Sequence, residues 1–312
     1  MSYIYAGHSE AIPPKSRILN GANKMKKKSV RSSDRKRKPI RFSSFIMYIF
    51  LGIVTVIQVY PLIWLFLFSF KNNNEIYSGN AMGIPKVWRI SNYYTVLTSG
   101  NVAVYLRNSI IVTGITIAVS TILIATTAYA IARMHWKIKN VFFNYILLGL
   151  MVPIHATLLP LFIVLRNLNM LDTYLSLILP YVVFALPMGI LIMVGFMKSI
   201  PKELEEAACL DGCNIYKMFF NITLPLVRPA IATVAIFTFL SSWNELMFAN
   251  TFISNENLKT LTVGIMSLSG QQGTAWGTIG AGLVIATVPT LIIYFIFSNQ
   301  IQQSVIAGAI KE

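Results

Sequence analysis

Glu245 is where chemistry is first sought in this chain. It is the only acid within any long apolar stretch, and it directly follows Ser241, Ser242, Trp243 and Asn244. An ionisable group at membrane depth is costly and normally faces a bundle interior or an aqueous path. Hydroxyl, amide and carboxylate groups beside an indole face would suit a polyhydroxylated solute. The alternative is that Glu245 pairs helices structurally or sits wet near the end of its span. His155 is the only histidine in such a stretch. Alone among apolar neighbours, it reads as a hydrogen-bonded packing residue ahead of a path residue. Cys209 and Cys213 are four residues apart, but two thiols without a nearby His or carboxylate set make a weak metal site, so no metal is expected. No Ser/His/Asp or paired-carboxylate arrangement is visible. The chain contains no Gly-Lys dipeptide and therefore no phosphate loop. Neither catalysis nor ATP hydrolysis by this chain alone is expected.

A second constellation lies in the polar interval between the apolar runs that end near 197 and begin near 230: Glu206-Ala207-Ala208-Cys209-Leu210-Asp211-Gly212, followed by Ile222-Thr223-Leu224-Pro225. These residues predict a short surface helix at about 201–212. Pro201 suits a first helical turn. Glu203, Glu205 and Glu206 follow near the positive end of the helix dipole, and Gly212 can take the left-handed conformation that ends a helix. Leu204, Ala207 and Ala208 fall at i, i+3 and i+4 and are expected to share one face. That face is small and shallow, suited to a groove on another protein and poor at gripping lipid.

The elements that must position these residues are membrane helices. The chain has 312 residues, 55% hydrophobic and 12% charged, about half the charge of a soluble domain. Residues 42–70, 108–132, 140–165 and 173–197 contain no Asp, Glu, Lys or Arg, and each exceeds the roughly 20 residues that cross a bilayer as a helix. With apolar runs near 229–250 and 278–298, they predict an all-α integral membrane protein of six transmembrane helices. The expected spans are 45–70, 108–131, 141–165, 176–197, 230–250 and 278–298. Residues 1–44 form a basic tail, expected to be disordered, and 45–312 the membrane domain.

The net charge of +15 lies mostly in that tail, which holds 12 Lys/Arg against Glu10 and Asp34. A juxtamembrane basic segment anchors at an anionic cytoplasmic surface. The tail's basic run, Lys24 to Arg41, has no interleaved aromatics to stack bases, so no nucleic-acid partner is expected. The tail is also too long and polar for a cleavable signal peptide. Across the predicted loops, 20 Lys/Arg fall on the face bearing both termini and the Glu-Ala-Ala segment, against 6 on the other. The positive-inside rule makes that first face cytoplasmic.

Glu-Ala-Ala, two residues, Asp-Gly, then nine residues and Ile-x-Leu-Pro resembles the cytoplasmic loop of permease subunits of maltose-type ATP-binding-cassette sugar importers. Pro85-Lys86-Val87-Trp88 with Asn92-Tyr93-Tyr94, Trp243-Asn244-Glu245 and the end Ile306–Glu312 resemble other parts of the same subunits. The resemblance covers residues 45–312 and implies the type I importer permease fold in a bacterial cytoplasmic membrane. It implies uptake of carbohydrate, of di- or oligosaccharide size. The implied partners are a second, homologous permease, two ATPase subunits holding ATP and Mg, and an extracellular or periplasmic solute-binding protein. Leu204, Glu206, Ala207, Ala208, Asp211, Gly212, Leu224 and Pro225 would couple to the ATPase. Ser241, Ser242, Trp243, Asn244, Glu245 and His155 would line the sugar path. A secondary transporter would need more coupling-ion groups than one acid and one histidine, and a membrane enzyme would need a catalytic constellation.

Overall fold

The computed structural model describes residues 42–98, 100–268 and 275–309, with backbone alone for 42–45 and 299–309. The basic tail up to residue 41 and the last three residues lie outside this description. Contacts divide the chain into Met1–Val59 and Tyr60–Glu312. Of the first unit, the described part is the leading portion of helix α1, Phe42–Phe68. Every regular element among the described residues is helical.

In the second unit, α1 is followed by two short helices, α2 (Asn73–Tyr77) and α3 (Ser91–Thr98). This segment ties itself together. Asn92 donates to the carbonyls of Ser69 and Lys71 at 2.7 and 2.9 Å. The fully buried Lys71 ammonium donates to the carbonyls of Asn80, Ala81 and Gly83. Burial lowers its pKa, against the opposing pull of Glu75. Trp88 and Tyr93 both pack on Phe70, which gives these aromatics a packing role.

Helix α4 (Val102–Ala132) is longer than expected, because it takes in Arg107 ahead of its apolar run. Its buried stripe includes Ser109, Thr113, Thr116, Ser120, Ala125 and Ala128, small residues that let another membrane helix approach closely. That helix is α7 (Leu175–Ser199). Ile124 lies directly over Gly189, where even a Cβ would collide.

Two expected spans are broken. The third is α5 (Lys139–Leu148) and α6 (Leu158–Asn167), bent by 90°. At the bend, Val152 is extended (ψ 118°) before Pro153, the conformation a following proline enforces. The fifth span starts with short turns after α8 (Glu203–Leu210): α9 (Ile215–Met218), a π-turn over Phe219–Thr223, and α10 (Leu224–Leu226). A 74° bend then leads into α11 (Arg228–Trp243). Sixteen residues of α11 rise only ~24 Å, short of the ~30 Å hydrocarbon core. The expected helix to Asn250 instead breaks after Trp243 and resumes as α12 (Met247–Phe252). The segment 251–277, expected as a loop, contains α13 (Leu261–Ser267), whose Leu261, Val263 and Ile265 are buried. The last helix, α14, spans Trp276–Ala309. Among the described residues, four continuous helices are long and apolar enough to cross a membrane, and six spans result when each bent pair counts as one.

Candidate functional site

The surface helix expected at 201–212 is α8. Pro201 precedes it instead of entering its first turn, and Glu203 opens the helix. Gly212 has φ +76°. The Cys213 N–H donates to the Ala208 carbonyl and the Gly212 N–H to that of Cys209, both at 3.0 Å, the paired bonds of a left-handed helix stop. A Cβ at Gly212 would meet nothing within 4 Å, so the requirement for glycine there is one of backbone conformation.

Leu204, Ala207 and Ala208 do not form one outward face. Ala208 is 6% exposed and packs into its own chain, while Ala207 and Leu204 are exposed and Leu210 is 90% exposed. At 100° per residue, Ala208 and Glu205 share the inward side, leaving Glu203, Glu206, Ala207 and Leu210 outward. Asp211 is exposed beside them, whereas Leu224 and Pro225 are half-buried, with Leu224 packed on the core under α8.

The inward side carries an ion pair that sequence reading missed. Arg133, just past α4, has its Nε 3.2 Å from Glu205 Oε1, with side chains 3% and 15% exposed. The Nε–H lacks the alignment of a hydrogen bond, so this contact is charge pairing. Arg133 Nη2 also donates to the Ile200 carbonyl at 2.8 Å, and Thr223 donates to Glu205 Oε1 at 3.2 Å. Tyr129, one turn back on α4, packs on Phe219 in the π-turn. Helix α8 is thus fastened to the end of α4 by a buried charge. An arginine closing an apolar run was the available signal, but its partner lies 72 positions on.

The opposite end of α4 is also pinned. Asn108 donates to the carbonyls of Asn257 and Lys259 and accepts from Tyr174, while Ser109 accepts from the Leu261 N–H. These contacts fix the segment leading into α13.

The Ser241–Glu245 group divides by role. Ser242 and Trp243 are buried, and Trp243 stacks on Phe239 while donating to the Ala286 carbonyl. That indole is core, not a face open to solute. Glu245 sits in the break between α11 and α12, not inside a helix. Its Oε1 accepts from the Phe248 N–H, and its Oε2 accepts from the Ala249 N–H and from Tyr181 at 2.5 Å. A carboxylate at a helix start satisfies orphan donors and complements the dipole. This capping explains why the helix breaks where there is no Pro or Gly. His155 is exposed, at the bend between α5 and α6, so it is not a buried packing residue. Ser241 borders a cavity of about 190 Å³ between α7 and α11.

Asn244 opens onto a larger cavity, about 530 Å³, with Thr262, Thr287, Thr290 and Trp276 around it. The aromatic that lines the same cavity as Asn244 is therefore Trp276, not Trp243. These roles separate in experiment. Glu245→Leu strands the donors that its carboxylate satisfies and should cost about 1–3 kcal/mol, read as a lower thermal midpoint and poorer assembly in detergent. Asn244→Leu should leave the midpoint unchanged and reduce uptake.

Residues 120–307 match the family described as the binding-protein-dependent transport system inner membrane component. An ABC transporter permease protein of Caldicellulosiruptor sp. (strain Rt8B.4) is 37% identical over 85% of this chain and 96% of its own length. A diacetylchitobiose uptake system permease protein of Streptomyces coelicolor is 33% identical over 90% of this chain and 91% of its own. Among solved structures, a chain of a bacterial ABC transporter involved in import of the acidic polysaccharide alginate has a similar fold. It superposes with a TM-score of 0.75 at 24% identity, covering 84% of this chain and 97% of that one. The chain belongs to the binding-protein-dependent transport system inner membrane components, the multi-pass permeases of ABC importers, and as a member of that family is not itself an enzyme.

Proposed function

We propose that this chain is one of two homologous permease subunits in an importer of carbohydrate, of di- or oligosaccharide size. It forms half of the path, and α8 docks an ATPase subunit. The observation that carries the docking role is the division of α8: Glu205 and Ala208 hold it to its own chain, while Leu210 stands almost fully exposed beside Ala207. A leucine standing out from a surface helix whose other outward residues are Glu203, Glu206 and the small Ala207 suits a pocket in a partner's groove. ATP and Mg belong to the two ATPase subunits. An extracellular or periplasmic binding protein delivers solute, as the family description implies. The carbohydrate assignment draws on the named cargo of the diacetylchitobiose relative. In this reading ATP closes the ATPase dimer, α8 moves with its groove, and α4 carries that movement toward Asn108 and the loop before α13.

The charge asymmetry supports an orientation with α8 and both termini cytoplasmic. The basic tail would then lie against the anionic inner surface. In a background lacking Cys209 and Cys213, a cysteine at the exposed Ser78 should react with an impermeant thiol reagent in sealed cells. A cysteine at the half-buried Ser267 should react more slowly, and one at Leu210 only after permeabilisation. Reaction at Leu210 in sealed cells would reverse the orientation. The function itself is tested by uptake of a labelled sugar panel in cells with and without the ATPase. Transport that persists without the ATPase and follows a proton or sodium gradient would favour a secondary transporter instead.

A further inference from the structure

The 530 Å³ cavity beside Asn244 has no Asp, Glu, Lys, Arg or His among its lining residues. Its polar groups are largely committed in one direction. Thr262 donates its hydroxyl hydrogen to the Glu245 carbonyl at 2.8 Å, and Thr287 donates to that of Leu283 at 2.7 Å. One Asn244 amide hydrogen goes to the Leu240 carbonyl at 2.9 Å. A hydroxyl that has given its hydrogen away keeps acceptor lone pairs, and Asn244 keeps its carbonyl oxygen. The cavity therefore offers more acceptors than donors, the remaining donors being the second Asn244 amide hydrogen and the Thr290 hydroxyl.

Trp276 supplies the complementary surface. Its indole N–H is taken by the Tyr77 hydroxyl at 2.8 Å, and its backbone N–H by Asn73 Oδ1 at 3.0 Å. Both bonds fix the residue at the start of α14, and what a 39% exposed Trp276 then presents is carbon. Ile265, Ile279 and Leu283 extend that apolar wall.

Building on the reading of this chain as a carbohydrate permease, we propose that this cavity is a subsite for one neutral sugar ring, with Trp276 as its stacking face. A pyranose presents hydroxyl donors around its rim and C–H groups on its faces, matching acceptors and indole respectively. A uronate would bring a carboxylate among acceptors with no cation to offset its lost hydration. An ammonium-bearing sugar would lose hydration with no anion to pair it. The alginate transporter that shares this fold imports an acidic polymer; here none of the described residues lining this cavity is a lysine or arginine.

The test uses the complete transporter in proteoliposomes with its binding protein. The probes are labelled neutral disaccharides (maltose, cellobiose and diacetylchitobiose) and an acidic oligouronate. The neutral probe that is transported serves for the variants, with ATP hydrolysis measured in parallel. Trp276→Leu keeps bulk and loses the ring, and should raise the KM for that probe about five- to tenfold, the scale of an aromatic contact. Trp276→Phe, which keeps a ring and loses the indole N–H, should stay within about twofold. Equal KM for Trp276→Leu and wild type, equal damage from Trp276→Leu and Trp276→Phe, or wild-type transport of oligouronate as fast as of the neutral probe would each overturn the subsite while leaving carbohydrate import intact. If wild type moves none of these sugars, the underlying carbohydrate reading fails instead.

Discussion

The Glu205→Ala protein is expected to lose uptake almost completely, although Glu205 faces inward to Arg133 and Thr223 of its own chain. Removing this carboxylate leaves the Arg133 guanidinium, 3% exposed, without its anion. Breaking a buried pair from one side typically costs about 3–5 kcal/mol. The cost falls on the element least able to bear it, because a helix of eight residues has little stability of its own in water. Helix α8 keeps its position through the Arg133 pair, the buried Ala208 and the stop at Gly212. Arg133→Ala should be as damaging, since it strands Glu205 and releases the Ile200 carbonyl. The double variant Arg133→Leu/Glu205→Leu should recover much of the lost thermal stability, because no charge is left stranded. It should not recover uptake, because the tether between α4 and α8 is gone. A double-mutant cycle on the thermal midpoint, closed with the single variants Arg133→Leu and Glu205→Leu, checks this, and additive effects would show that the two side chains act independently.

Leu210→Asp is expected to have a comparable effect on uptake by a different route. Leu210 is 90% exposed within its own chain, so its replacement should leave the fold and midpoint unchanged. Burying a leucine in a partner's groove is worth about 1.5–3 kcal/mol. An aspartate there forfeits that and adds a charge to be desolvated, so ATPase binding should weaken by at least about a hundredfold. Ala208→Asp is a poorer probe. It would bury a carboxylate within the permease itself and lose function whether or not α8 docks anything.

Much of this architecture was legible in the chain. Charge-free runs located the spans, and the acids, Gly212 and the flanking polar interval located α8, because these signals are local. What escaped is relational. Both halves of a bent span are apolar, so hydropathy passes over the 90° turn at Pro153. The break after Trp243 has no Pro or Gly to announce it; it exists because Glu245 caps α12 and bonds Tyr181 from α7. A rare intramembrane acid thus reads as a path residue until its donors are seen. Spacing grouped Ala207 with Ala208, but only the packing of α4 and the π-turn says which of the two faces inward. Trp276, inside the segment 251–277 expected as an external loop, had no local mark that would put it on the same cavity as Asn244.

The central claim, that the outward face of α8 couples this permease to its ATPase, is tested most directly by co-purification in detergent. The Leu210→Asp permease, with its sister subunit, is captured and the retained ATPase is quantified against wild type. The account predicts a normally folded permease pair with the ATPase largely lost and uptake abolished. Recovery of ATPase at wild-type stoichiometry with uptake intact would contradict it.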